Sequence, residues 1–117
     1  MLILHYPRCS TCRNARKHLD SLELDYTTSD ITEEPPTVEE LKAWVPRSGL
    51  PLKRFFNTSG NVYRELGLKD KLADMSEEEQ MALLSSNGML VKRPLLVTDE
   101  QVLVGYKAAD YDALKDA

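Results

Sequence analysis

Cys9-Ser10-Thr11-Cys12 holds the only two cysteines of the 117-residue chain, and their spacing suits a redox dithiol. The thiolate is the reactive form of cysteine. A cysteine at a helix N-terminus has its pKa lowered by unpaired backbone N–H groups and by the helix dipole. Cys9 is therefore the candidate nucleophile and Cys12 the resolving thiol, with donors from Ser10 and Thr11 and positive potential from Arg8, Arg13 and Arg93 favouring the Cys9 thiolate. Cys9 would attack a disulfide or sulfenic acid, and Cys12 would displace the mixed disulfide to close a Cys9–Cys12 bridge. The blander alternative is a pair of inert thiols, one of them core packing.

The elements around the motif must put one sulfur outside and one inside. Residues 1–5 carry Leu2-Ile3-Leu4 and read as a buried strand. A helix follows from about Ser10, with Cys12, Ala15, Leu19 and Leu22 as its inner stripe. Cys12 then faces the core and Cys9, ahead of the first turn, stays near the surface. Residues 24–28 alternate like a second strand, which makes a right-handed βαβ unit with parallel strands.

Pro35-Pro36 breaks the pattern, and Thr37-Val38-Glu39-Glu40 is a capping box opening a helix that Pro46 is expected to stop. Residues 52–56 and 62–66 read as short helices, the second closed by Gly67 as its C′ residue. Ser76-Glu77-Glu78-Glu79 is a second capping box. Residues 94–97 and 102–104 flank Thr98-Asp99-Glu100-Gln101 as a hairpin, and residues 108–115 form a last helix. The order predicts an α/β thioredoxin-like fold, a mixed sheet flanked by helices, with a helical insertion at about 32–90 in one domain spanning 1–117.

Composition narrows the function. A net charge of −4 gives no basic footprint for direct nucleic-acid binding. The N-terminus lacks a secretory leader and the longest apolar runs fall far short of a bilayer span, so the expected location is the cytoplasm. In a reducing compartment a lone close cysteine pair is more readily catalytic or redox-sensing than a structural staple.

Other candidates weigh less. Cys9, Cys12, His5 and His18 supply no second closely spaced ligand pair for zinc, so no metal is expected. His5 ends the first strand, where a partly buried histidine bonded to backbone is favoured over a base for Cys9. His18 reads as a solvated helix residue. Trp44, Phe55 and Phe56 read as packing. Asn57, Ser59 and Asn61 fit a groove opposite Cys9 and turn or cap roles equally well.

Four segments together resemble the ArsC and Spx family, the thioredoxin-fold proteins that include arsenate reductases and Spx/MgsR-type regulators. They are His5-Tyr6-Pro7-Arg8-Cys9-Ser10-Thr11-Cys12-Arg13-Asn14, Val62-Tyr63-Arg64-Glu65-Leu66-Gly67-Leu68, Lys92-Arg93-Pro94-Leu95-Leu96-Val97 and Val104-Gly105-Tyr106. The resemblance implies that Cys9 lies in an anion-binding loop shared by Ser10, Thr11 and Arg13. It also implies that Pro94 is a cis-proline facing that loop and that Arg93 points into the site, where a guanidinium stabilises a thiolate or oxyanion. No bound cofactor is implied, and glutathione with glutaredoxin, or thioredoxin, is the implied reductant.

The departures separate three activities. Arsenate reductases of this family hold the oxyanion with three arginines and carry serine where this chain has Cys12. Asn57 and Gly105 align with two of those arginines, leaving Arg93. A thiol–disulfide oxidoreductase acting on a thiol or disulfide substrate or a redox partner protein is thus the first expectation. A redox-sensing regulator that binds the C-terminal domain of the RNA polymerase α subunit is the second, since Gly49 lies near the polymerase-contacting glycine of Spx-type proteins. Those regulators continue into a charged C-terminal segment, whereas this sequence stops at Ala117. Arsenate reduction is the third.

Overall fold

A computed structural model describes residues 1–116 of the protein. Four strands form one mixed sheet in the order β2-β1-β3-β4, with β1 at Leu2–His5, β2 at Thr27–Asp30, β3 at Leu95–Val97 and β4 at Val102–Val104. β1 and β2 run parallel with Ile3 opposite Thr28, while β3 is antiparallel to both β1 and β4. Helix α1 (Ser10–Ser21) crosses over between the parallel pair. Between β2 and β3 the regular elements are helical: α2 (Val38–Ser48), α3 (Asn61–Glu65), α4 (Leu68–Lys71), α5 (Glu77–Ser86) and three 3₁₀ turns. The short helix α6 (Ala108–Asp112) and a 3₁₀ turn at Ala113–Asp116 follow β4. This is the thioredoxin-like architecture with a helical insertion.

Strand alternation divides the interior into two cores. Ile3 and Leu96 point to one face, where Ala15 and Leu19 of α1 pack with Tyr111 and Leu114. Their neighbours Leu4 and Leu95 point to the other, where the insertion supplies Leu41, Trp44, Phe55, Phe56, Tyr63 and Leu84. The sheet is thus covered on both sides, which explains why β1 and β3 read as continuous apolar runs.

Both capping boxes form. Thr37 Oγ1 accepts from Glu40 N and Glu40 returns a bond to Thr37 N, and Ser76 and Glu79 repeat the arrangement in α5. Gly67, with φ 65°, closes α3 as expected.

Two boundaries differ from the sequence reading. Residues 24–26 are not paired strand, and β2 begins at Thr27. Helix α1 ends in a Schellman motif, with Leu24 N bonded to Leu19 O and Glu23 N to Asp20 O. Glu23 holds the left-handed position at φ 59°. Leu24 and Tyr26 alternate because they pack on the α1 core, whereas the paired residues Thr-Thr-Ser-Asp form a polar edge.

The second difference is that α2 runs through Pro46 to Ser48. Pro46 sits in the last turn, where its missing N–H costs one intrahelical bond. Arg47 Nη1 donates to Thr98 O at 2.6 Å and Ser48 Oγ to Val45 O at 2.6 Å, and Gly49 then closes the helix at φ 68°. Gly88 meets a different demand: a Cβ there would stand 1.8 Å from Ile31 O.

Candidate active site

Cys9 is the N-cap residue of α1, with extended backbone at φ −83° and ψ 119°. Its own N–H donates to Tyr6 O at 2.9 Å and its carbonyl accepts from Arg13 N at 3.1 Å. The loop is thereby folded back so that the sulfur faces the free N–H groups of the first turn. Partial burial acts to raise the Cys9 pKa but is outweighed, and the thiol lies below its ordinary value. The nearby Cys12 N–H and S–H, then the Arg93 charge and the Thr11 N–H, favour the thiolate and hold it there.

Cys12, one turn on, is fully buried. Burial is the main cause that pushes its thiol up to about 12; a hydrogen bond from Tyr6 N–H opposes the rise and the Cys9 thiolate adds to it. Both thiols are free. One turn of helix therefore separates an ionisable sulfur from one that keeps its proton.

A cleft of about 640 Å³ opens in front of Cys9. Cys9 and Thr11 form its floor. One wall is Arg54, Asn57 and residues 59–62; the other is Met89, Lys92, Arg93 and residues 104–107. Arg54, Lys92, Arg93 and Lys107 bring four cations to the lining and no carboxylate joins them, against a chain charge of −4. The insertion wall is tied to the sheet wall by Asn57 N to Leu90 O and Lys92 N to Phe55 O, both 2.7 Å.

Arg93 is held by three neighbours. Its Nη1 lies 3.5 Å from the carbonyls of Met89 and Val91, and its guanidinium stacks over the Tyr6 ring at 5.3 Å. The Arg93–Pro94 peptide is cis, and Pro94 O accepts from Gly105 N at 2.9 Å.

Of the residues singled out from sequence, Cys9, Thr11 and Arg93 line the cleft together. Cys12 lies beneath, and Pro94 is buried behind Arg93. Ser10 and Arg13 are exposed and are not among the residues that line the cleft. Asn57, Ser59 and Asn61 do line it while also making a turn, with Ser59 Oγ on Asn57 Oδ1 and Gly60 N on Asn57 O. His5 is buried and away from the cleft; burial, then the Arg16 charge, lowers its pKa against the opposing pull of Asp30.

His18 is not a solvated helix residue. Its side chain is 13% exposed and bonds to Tyr106 and Asp112, partners 88 and 94 positions away that no local pattern reveals. Arg54, Lys92, Tyr106 and Lys107 were also missed as cleft residues. The adjacent cations in Lys92-Arg93 and Lys53-Arg54 were the available signal.

A sheet of this order, a cysteine at the start of its crossover helix and a cis-proline beside it define a thioredoxin-like thiol protein. The model of the ArsC family matches residues 4–114, and the chain belongs to that family. It is 53% identical to the protein YusI of Bacillus subtilis over 92% of this chain and 91% of that protein. The regulatory protein MgsR of the same organism is 26% identical, over 90% of this chain and 82% of MgsR. Arsenate reductase of Rhizobium meliloti is 30% identical over 81% of this chain and 66% of that enzyme. Among solved structures, an ArsC family related protein from Bacteroides fragilis superimposes with a TM-score of 0.94 at 58% identity, covering 97% of this chain and 95% of that one. Among the described residues no helix is long and apolar enough to cross a membrane.

Proposed function

We propose that the protein is a thiol–disulfide oxidoreductase in which Cys9 attacks and Cys12 resolves. The observation that carries this reading is the split between the two sulfurs, with the Cys9 thiol lowered at the cleft floor and the Cys12 thiol buried and pushed up to about 12. Cys9 ionises more readily than Cys12, so a disulfide substrate is attacked there first. Formation of the mixed disulfide removes the Cys9 charge, and the buried Cys12 is then free to ionise and displace the substrate. The four cations of the cleft favour a substrate that carries carboxylates or another anion. Glutathione with glutaredoxin, or thioredoxin, returns the dithiol to its reduced form.

The test is equilibration of the Cys9/Cys12 pair in glutathione buffers, followed by thiol trapping. A potential between about −180 and −280 mV is expected. Failure to form an intramolecular disulfide refutes the reading.

A second reading has its own observation. A groove lined by Lys42, Val45, Pro46, Leu50, Glu77 and Met81 surrounds Gly49, and a Cβ at Gly49 would meet nothing within 4 Å. In this reading the protein is a redox-sensing regulator, like the relatives MgsR and Spx, and docks the C-terminal domain of the RNA polymerase α subunit there. A pull-down of that domain by oxidised and reduced protein tests it, and no binding in either state removes it. Turnover of arsenate, abolished by Cys9→Ser, would instead establish the third activity.

A further inference from the structure

Tyr106 forms part of the cleft wall, and its hydroxyl oxygen lies 2.6 Å from His18 Nδ1. His18 Nε2 in turn lies 2.7 Å from Asp112 Oδ1. The His18 side chain is 13% exposed and the Asp112 side chain 65% exposed, so a hydrogen-bonded chain runs from solvent through α6 and α1 to Tyr106, a residue of the cleft wall. Its direction follows from the chemistry of its members. A carboxylate only accepts, so His18 Nε2 carries the hydrogen; Nδ1 of the neutral ring then accepts, and Tyr106 O–H donates to it. The phenol oxygen keeps lone pairs of its own. Tyr111, fully buried, stands edge-on to Tyr106 at 4.8 Å and 5.7 Å from the His18 ring, and Lys115 caps Leu22 O beyond the end of α1.

The cleft lining otherwise lacks a base. Four cations line it, and no carboxylate or histidine does so among the described residues. His5 does not reach it. A protonated thiol entering the cleft therefore meets one route to a proton acceptor, through Tyr106.

Resting on the thiol–disulfide exchange reading, we propose that Tyr106, His18 and Asp112 form a proton relay that deprotonates the incoming alkyl thiol in the reductive half-reaction. Tyr106 is the catalytic residue that touches the thiol; His18 and Asp112 are positioning residues behind it. The S–H proton passes to the Tyr106 oxygen as the phenol's own proton passes to His18 Nδ1. The thiolate attacks Cys9 Sγ of the oxidised centre and forms a new S–S bond. The electron pair of the broken Cys9 bond leaves on the departing sulfur. The imidazolium forms against the Asp112 carboxylate and the thiolate among the cleft cations, so each new charge meets an opposite one. In the reverse direction the same proton returns to a leaving thiolate.

The test uses full-length Cys12→Ser protein carrying a mixed disulfide of Cys9 with 5-thio-2-nitrobenzoate, whose release reports attack on Cys9 Sγ. The release is timed with two nucleophiles: 2-mercaptoethanol, largely protonated at pH 7, and 4-mercaptobenzoate, an aromatic thiol already largely ionised. In the Tyr106→Phe and His18→Gln backgrounds the alkyl thiol is expected to slow about tenfold or more, while the ionised thiol stays within about twofold of its rate in the Cys12→Ser parent. In Tyr106→Phe the rate should climb with pH as the thiol itself ionises, whereas the parent's rate should depend less steeply on pH. Equal slowing of both nucleophiles would make Tyr106 a wall residue only and overturn the relay, as would no slowing of either. Should His18→Gln fail to fold, the conservative Tyr106→Phe carries the comparison alone. If Cys9 forms no mixed disulfide at all, the exchange reading falls before any relay variant is compared, and the relay falls with it.

Discussion

Replacing Cys12 by alanine and, separately, by serine measures what the buried thiol gives to its partner. The Cys12 backbone N–H and S–H, the Arg93 charge and the Thr11 N–H all favour the Cys9 thiolate. Alanine removes only the S–H donor, while serine keeps a hydroxyl donor at nearly the same point. A hydrogen bond to a charged group is worth about 1.5–3 kcal/mol, and a thiol is a weak donor, which puts this one near the lower bound. At about 1.4 kcal/mol per pKa unit, the Cys9 pKa should rise by about one unit in Cys12→Ala and by much less in Cys12→Ser. Because the chain has no third cysteine, both thiolate absorbance and the pH dependence of iodoacetamide alkylation report Cys9 alone in either variant. If alanine and serine leave Cys9 at the same pKa, the S–H bond contributes nothing and the helix start and Arg93 carry the whole effect. A lower pKa in the alanine variant would refute the reasoning.

Three further outcomes follow from the geometry. The folded protein holds the Cys12 proton to about pH 12, while the unfolded chain releases it near the ordinary thiol value of 9.0. Unfolding therefore releases a proton in that window and stability falls as the pH rises through it; urea titrations should show a shallower fall in Cys12→Ser. Glu23→Gly relieves the left-handed backbone at φ 59° and should stabilise the protein by about 0.5–1 kcal/mol in the same assay. Gly88→Ala would drive a Cβ to 1.8 Å from Ile31 O, and a loss of about 3 kcal/mol or more is expected, seen as a lowered thermal midpoint.

Local chemistry made much of this fold legible in the sequence. Both capping boxes, the Gly67 stop, the 98–101 hairpin connection and the Cys12-Ala15-Leu19 stripe depend on residues within one or two turns of each other. Failures came where a signal had two physical sources. Alternation at Leu24 and Tyr26 marks packing onto α1, not pairing, and Pro46 breaks a helix interior but not a last turn fastened by Arg47 to Thr98. The candidate site divides the same way. Cys9 and Cys12 declare themselves by spacing, and Arg93 by its place before Pro94. The gathering of Arg54, Lys92 and Lys107 around Arg93 and the Asp112–His18–Tyr106 chain arise from contacts across most of the chain's length, and only the folded arrangement reveals them.

The insertion wall of the cleft hangs from the sheet by two main-chain bonds, Asn57 N to Leu90 O and Lys92 N to Phe55 O. Main-chain bonds of this kind are indifferent to side-chain identity. With Phe55 and Phe56 keeping the strip in the core, its cleft-lining members Arg54, Asn57, Ser59 and Asn61 can therefore exchange their side chains while the thiol pair, set by α1, stays untouched. In the oxidoreductase reading, substrate choice and redox chemistry sit on separately variable parts of the molecule, and one scaffold can diverge in what it recognises without relearning how to react.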